Sequence, residues 1–420
     1  MKGRAKTWTV VVLSALTAGA AAAHAAPDGA PRRKRMVVSF KAGTTLAQRE
    51  ETAKSLGMTL VDDLPALEVS VLQANGDVAP EEFDRARTQP GIADAEDDVY
   101  RNWLLDAPVS FQQAPLPSLD AVMSALRKPR KRPAAPAPSG NAPSGASGAV
   151  PWGVRRVNAP AAWASGEGAG VKVAVVDTGI DCTHPDLECD FSAGTDIVDP
   201  GSQPMDDNEH GTHVAGTIAG RGLGGGVLGV APKATLMPVK VLDKDGAGSL
   251  SDIVKGIDWA ADHGANVINM SLGGPSGSTA LERAVKYALS KGVVVVAAAG
   301  NSGPDPDTVG YPAGYPGVIA VAASDSSDGV ADFSSRGAAV AFIAPGVDIT
   351  STVPGGGYAK LSGTSMASPH VAGLAALAVE RGARGADGVR AAFSAAASRL
   401  PGLSATEEGA GMIDAARLGR

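Results

Sequence analysis

Three short strings of this chain place reactive side chains next to one another in type and order. Ser365 lies in Gly363-Thr364-Ser365-Met366-Ala367-Ser368-Pro369-His370, ahead of an unbroken small and apolar run from Val371 to Val379. That run reads as a buried helix. Ser365 then stands at a helix N-terminus, where partial positive charge suits a reaction that develops negative charge. Taken alone, such a serine is an ordinary N-cap. Two further strings shift the balance. Asp177 ends the β-branched run Val171 to Val176 and leads into Thr178-Gly179. His210 and His213 lie in His210-Gly211-Thr212-His213, after the acidic stretch Asp206 to Glu209. A serine hydroxyl is a weak nucleophile and needs a neighbouring base. An aspartate behind that base holds its tautomer and stabilises the imidazolium. A serine, a histidine and an aspartate are the groups that such a nucleophilic hydrolysis needs; here they lie in the order Asp, His, Ser, with gaps of 33 and 155 residues to His210 and Ser365. Either histidine could be the base on this evidence.

Such groups need a rigid frame. Near-continuous Val/Ile/Ala runs predict strands at 171–176, 235–241, 265–270, 293–298 and 318–322, with shorter ones at 340–343 and 349–353. Helices are predicted at 211–220, 250–263, 279–290, 365–380 and 386–397. Apolar strands alternating with helices imply an α/β fold, three-layered around a mostly parallel sheet covered on both faces. Catalytic groups gather at the carboxyl ends of such strands, and Asp177 directly follows its strand. A second, smaller α+β domain is expected at 31–105. It has strands at Met36 to Phe40 and Leu67 to Leu72, helices at Thr45 to Leu56 and Pro80 to Thr88, and an acidic last strand within Ile92 to Tyr100.

Between the two lies a linker, residues 106–149, rich in Pro, Ala, Ser and Gly, a composition that favours flexibility. Its basic cluster, Arg127 to Arg132, is either a cleavage target or a solvated face. At the N-terminus, Lys2, Arg4 and Lys6 precede an apolar stretch from Trp8 to Ala22 and the small-x-small string Ala23-His24-Ala25. This is a signal peptide pattern with the cut after Ala25, so the mature chain is expected to be secreted, extracellular and free of the membrane. Of the 420 residues, 53 are glycine and only 4% are aromatic, so small side chains must pack backbone closely. The net charge of -7 argues against a nucleic-acid partner, whose footprint would be basic. Cys182 and Cys189 are the only cysteines. Export permits a disulfide and their spacing closes a small loop; two free thiols or a metal pair are the alternatives.

The three reactive strings together resemble the subtilisin-like serine proteases, whose order is Asp, His, Ser. The resemblance runs from about Val150 to the C-terminus and includes Val150-Pro-Trp-Gly-Val154 and Ala159-Pro-Ala-Ala-Trp163. It implies a catalytic domain at 150–420 with Asp177, His210 and Ser365 as the triad. His210, at the head of its motif, matches the family's base, and His213 is left as a packed helix histidine. Asn301, in the turn Gly300-Asn301 after the strand, matches the oxyanion-hole asparagine, and the backbone N–H of Ser365 would be the second donor. Ser271-Leu272-Gly273-Gly274 resembles the segment that pairs with substrate as an added strand and walls the S1 pocket. Gly310 matches the base of S1, with Ala298 and Ala299 opposite, and Leu250 borders a neighbouring subsite. No acidic side chain occurs in the matched wall and base segments, so large apolar P1 residues are expected.

By position and pattern, residues 31–105 resemble the family's inhibitory propeptide. The resemblance therefore implies a monomeric, secreted endopeptidase of broad specificity made as a self-processing zymogen. Its partners would be protein and peptide substrates and its own propeptide as intramolecular inhibitor. A catalytically silent binding protein of the same family is the alternative; all three triad residues and Asn301 being present weighs against it. No cofactor is required for the chemistry. Structural calcium is the open question: Asp186, in His184-Pro185-Asp186, resembles a family calcium ligand. Leu223 and Gly148, however, stand where the family often supplies asparagine and glutamine, and calcium wants six to eight oxygens. Asp186 is either a metal ligand or a purely structural carboxylate.

Overall fold

The computed structural model describes residues 35–104 and 148–419. The expected signal peptide, residues 1–25, and the basic cluster Arg127 to Arg132 lie outside the described residues. No helix among the described residues is long and apolar enough to cross a membrane.

The N-terminal unit runs β1 (Arg35–Phe40), α1 (Leu46–Ser55), β2 (Met58–Leu64), β3 (Val69–Ala74), α2 (Pro80–Arg87) and β4 (Ile92–Asp97). Its antiparallel sheet has the order β2-β3-β1-β4. Helix α1 starts on a capping box between Thr45 and Gln48. Met36, Val38, Phe40, Leu72 and Ile92 form the core under the helices. Strand β2 had no clear signal because Asp62 and Asp63 sit side by side in it. The structure accommodates both: Asp63 accepts from Arg49 Nη1 at 2.9 Å and Ser70 Oγ at 2.5 Å, and Asp62 pairs with Lys255. A short strand, β5 (Tyr100–Asn102), follows and leaves the unit altogether.

The larger unit holds α3 (Trp152–Arg156), α4 (Ala159–Ala162), β6 (Lys172–Asp177), β7 (Thr195–Asp196), α5 (His210–Ala219), β8 (Thr235–Lys240), β9 (Ala247–Ser249) and α6 (Leu250–Asp262). It continues with β10 (Val267–Met270), α7 (Thr279–Ser290), β11 (Val294–Ala298), β12 (Ile319–Ser324), β13 (Val340–Pro345), β14 (Ile349–Val353) and β15 (Gly357–Leu361). After these come α8 (Thr364–Glu380), α9 (Gly385–Ala396), β16 (Ala397–Ser398) and β17 (Met412–Ile413). The sheet order is β16-β17-β13-β12-β11-β10-β6-β8-β7, parallel throughout except β16 against β17. The predicted three-layer α/β fold is the one observed. Both sheet faces are covered, one by α5, α8 and α9, the other by α6 and α7. Strands buried on both sides read as near-continuous apolar runs, and β11 (Val-Val-Val-Ala-Ala) and β12 are buried end to end. Helix α8 runs through the middle, with Thr364 to Ala378 buried.

Candidate active site

Asp177 is the last residue of β6 and is fully buried. His210 opens α5, and its Nδ1 lies 2.7 Å from Asp177 Oδ1. The same oxygen accepts the Thr178 N–H at 2.8 Å. Burial pulls the His210 imidazole down, but the charge and hydrogen bond of Asp177, with Asp206 and Glu209 beyond, outweigh it and raise the pKa above the ordinary value. The turn into α5 is strained: Glu209 has φ 143°, sparsely populated for a non-glycine residue and characteristic of functional sites. Asp206 holds that turn. Its Oδ1 accepts from Thr178 Oγ1 at 2.8 Å, Asn208 N at 3.0 Å and Glu209 N at 3.2 Å, and its Oδ2 from Thr212 N at 2.8 Å and Thr212 Oγ1 at 2.6 Å. The sequence showed Asp206 only as part of an acidic stretch. His213, three residues along α5, is buried with Nε2 2.9 Å from Ile349 O, and burial pushes its pKa down to about 3. It is a packed histidine.

Ser365 sits in the first turn of α8. Pro369, four residues on, has no N–H to give the Ser365 carbonyl, and Ser271 Oγ supplies the bond instead at 2.8 Å. Ser365 Oγ in turn donates to Ser271 O at 3.0 Å. Ser365 and Ser271 are thus tied together reciprocally. His210 Nε2 has no protein partner among the described residues, which fits a base whose bond to the nucleophile tightens only when substrate is present.

Asn301 follows β11 after Gly300, whose φ of 110° suits only glycine. The Thr364 hydroxyl accepts the Gly300 N–H at 3.1 Å and donates to Asn301 Oδ1 at 3.0 Å, and Thr364 N–H donates to the same oxygen at 2.9 Å. A backbone N–H can only donate, so the oxygen must face Thr364 and the amide nitrogen is the free end. Asn301 and Ser365 line one cavity of about 240 Å³ with Leu272, Gly273, Gly274, Ala298, Ala299 and Gly310. Backbones approach closely there: a Cβ on Gly310 would lie 2.9 Å from Gly274 O. Asp307, one residue ahead of the matched base segment, also lines the cavity.

The groove beside this cavity already holds a strand. β5 pairs antiparallel with β9, Asn102 opposite Ala247 and Tyr100 opposite Ser249. Trp103 N donates to Gly246 O at 3.0 Å, and Gly273 N donates to Trp103 O at 3.3 Å. Trp103 and Leu104 reach the cavity that Ser365 lines. Leu250 lies beside Trp103 and Arg101 in the adjoining hollow. Three carboxylates of the N-terminal unit anchor the arrangement at the starts of α6 and α7. Asp98 accepts from Ser251 N and Ser251 Oγ, both at 2.8 Å. Glu96 accepts from Ala280 N at 3.0 Å and Ser278 Oγ at 3.1 Å, and Asp94 from Thr279 Oγ1 at 2.6 Å. Negative groups at helix N-termini satisfy orphan donors and meet the favourable end of the dipole.

The residues around Asp186 do not fit calcium. Asp186 Oδ1 accepts Leu223 N at 2.6 Å and Oδ2 accepts Val227 N at 2.7 Å, so both oxygens already close the 221–227 loop. Leu223 offers no side-chain oxygen. Gly148 has no room for any side chain, since a Cβ there would lie 2.3 Å from Gly222 Cα and 2.6 Å from Gly226 O. No group of three or more metal-ligating side chains occurs among the described residues. Cys182 and Cys189 are bridged across the same turn.

A family model described as the subtilase family matches residues 168–410, and one described as the fervidolysin N-terminal prodomain matches residues 17–97. Subtilisin E of Bacillus subtilis (strain 168) is 53% identical over 236 residues, covering 55% of this chain and 61% of the relative. Subtilisin BL of Lederbergia lenta is 53% identical over 233 residues, covering 55% of this chain and 85% of the relative. M-protease of Shouchella clausii (strain KSM-K16) is 53% identical over 233 residues, with 60% of the relative covered. The chain thus spans about 61% of the length of subtilisin E and the relatives most like it.

Proposed function

The chain belongs to the subtilase family, and from that premise we propose that it is a secreted serine endopeptidase of broad specificity, made as a self-processing zymogen. The observation that carries this reading is the strand β5 lying in the groove on β9, with Trp103 and Leu104 at the cavity that Ser365 and Asn301 line. A chain that binds its own extended segment beside a serine, a histidine and an aspartate is bound as substrate and as inhibitor at once. Strand addition works through main-chain bonds and so accepts many sequences.

In this mechanism Ser365 Oγ leaves Ser271 O and attacks the scissile carbonyl carbon, passing its proton to His210 Nε2. Asp177 keeps the proton on Nδ1 and stabilises the imidazolium as it forms. The carbonyl oxygen becomes an oxyanion facing the Asn301 amide and the Ser365 N–H. Removing such an amide donor from subtilisin costs about 2.7–4 kcal/mol of transition-state stabilisation. His210 then protonates the leaving amine, and water repeats the cycle on the acyl-enzyme. Residues 31–105 would be the prodomain, 106–149 the linker and 150–420 the catalytic domain. Leu272, Ala298 and Ala299 give the S1 pocket apolar walls, which favour large apolar P1 residues.

Replacing Ser365 with Ala tests the proposal. Precursor lacking only its signal peptide should accumulate, with no hydrolysis of peptide substrates. Continued self-trimming in a purified, protease-free preparation would overturn the assignment.

A further inference from the structure

Asp307 is a carboxylate in the active-site cavity that neither the triad nor the strand pairing uses. It lines the cavity with Ala299, Gly300, Val309, Gly310 and Ser365. Its place is fixed rather than loose. The next residue, Thr308, donates its N–H to Arg336 O at 2.9 Å and accepts the Arg336 N–H on its hydroxyl at 3.1 Å. Gly337 packs against this turn: a Cβ there would sit 3.5 Å from Asp307 Cα and 3.7 Å from Asp307 Oδ1, at ordinary contact distance. The cation next to this turn, Arg336, is directed at Glu407 at 3.1 Å. Among the described residues Asp307 takes part in no ion pair, and it is exposed. An exposed carboxylate with no ion pair among the described residues therefore lines a pocket that also has apolar wall residues, Leu272, Ala298, Ala299 and Val309.

We infer that Asp307 is a specificity-determining residue that lets this pocket take Lys and Arg at P1 as well as large apolar side chains. The inference rests on the endopeptidase reading above and deepens it. The physical reason is the shape of the cationic side chains. Their methylene stems bury against apolar walls while the charged head stays at the wet edge. Such a head loses hydration without compensation in a pocket that has no charge partner. Asp307 supplies that partner at the edge, where the head would emerge. An exposed pair of this kind is worth only about two- to fivefold, so it broadens the preference without reversing it.

The test compares tetrapeptide anilides that differ only at P1, with Lys, Arg, Met and Phe, on the mature enzyme and on Asp307→Asn. Asp307 has φ 56°, and asparagine tolerates that left-handed conformation as well as aspartate does, so the backbone should be undisturbed. The kcat/KM for Lys and Arg should fall about two- to fivefold, while Met and Phe stay within about twofold. The wild-type advantage on Lys should also shrink as salt is raised, because exposed pairs are screened. An unchanged Lys-to-Met ratio in the variant overturns the role of Asp307 while leaving the endopeptidase reading intact. Failure of the wild-type enzyme to cleave any of the four overturns that reading and this inference with it.

Discussion

Replacing Asp98 with Ala should loosen the hold of the N-terminal unit on the catalytic unit without unfolding either. Asp98 lies just past β4 and reaches Ser251 N and Ser251 Oγ in the first turn of α6, both at 2.8 Å. A hydrogen bond to a charged group contributes about 1.5–3 kcal/mol net, and a charge at a helix N-terminus a further 0.3–1 kcal/mol or so. Burial opposes this and raises the Asp98 carboxyl, so the lower end is appropriate, about 2–3 kcal/mol in all. That is about a 30- to 150-fold rise in inhibition constant. The assay adds the separately expressed 31–105 segment, wild-type or variant, to mature enzyme and reads Ki from progress curves. Asp84→Ala is the control, since that side chain is 80% exposed and, among the described residues, its ion pair is with Arg87 of its own helix. A Ki change under about threefold for Asp98→Ala, or an equal change for both variants, would refute the interface argument. The pH dependence has a definite sign. Burial raises both Asp98 and Glu96 in the docked state, so docking takes up protons. Inhibition should therefore tighten as pH falls toward the raised values, and loosen as pH climbs above them.

Two further outcomes concern stability, measured on the Ser365→Ala protein so that self-digestion does not intervene. Burial depresses His213 to about 3 and His370 to about 4, from 6.5; the unfolded chain then binds protons that the folded one refuses, so stability is full above about pH 6.5 and lost as pH falls toward the depressed values. For His370 alone the full loss is about 3 kcal/mol at 1.36 kcal/mol per unit, and equal urea midpoints at about pH 7 and about pH 5 would contradict it. Asp186→Ala should remove two charge-assisted bonds from the 221–227 loop and cost about 3 kcal/mol. The drop in Tm should be the same in excess calcium and in excess chelator, and a drop confined to the calcium sample would restore a metal to that loop.

What could be read from the chain alone are the parts of this protein whose physics is local. Asp177, His210 and Ser365 each sit in a string of a few residues that ends a strand or opens a helix, and the central strands are near-continuous apolar runs because both sheet faces are buried. Burial pattern, helix starts and glycine turns are all written within about ten residues of one another, so the α/β frame, its helices and the family likeness were legible. The tertiary structure decided what depends on residues far apart in the chain. Ala247-Gly248-Ser249 has no strand character of its own and becomes β9 only because β5, about 145 residues earlier, offers it an edge to pair with. Ser271 answers the carbonyl that Pro369 frees, almost a hundred residues away. Asp186 was readable as a metal ligand until the amides of Leu223 and Val227 were seen to occupy it. Asp307 lay one residue outside the matched pocket segment and reached the cavity only by the path of its loop. A hydrogen bond or a charge acts over a few ångströms, and which groups come within that range is set by chain crossings that no local pattern records.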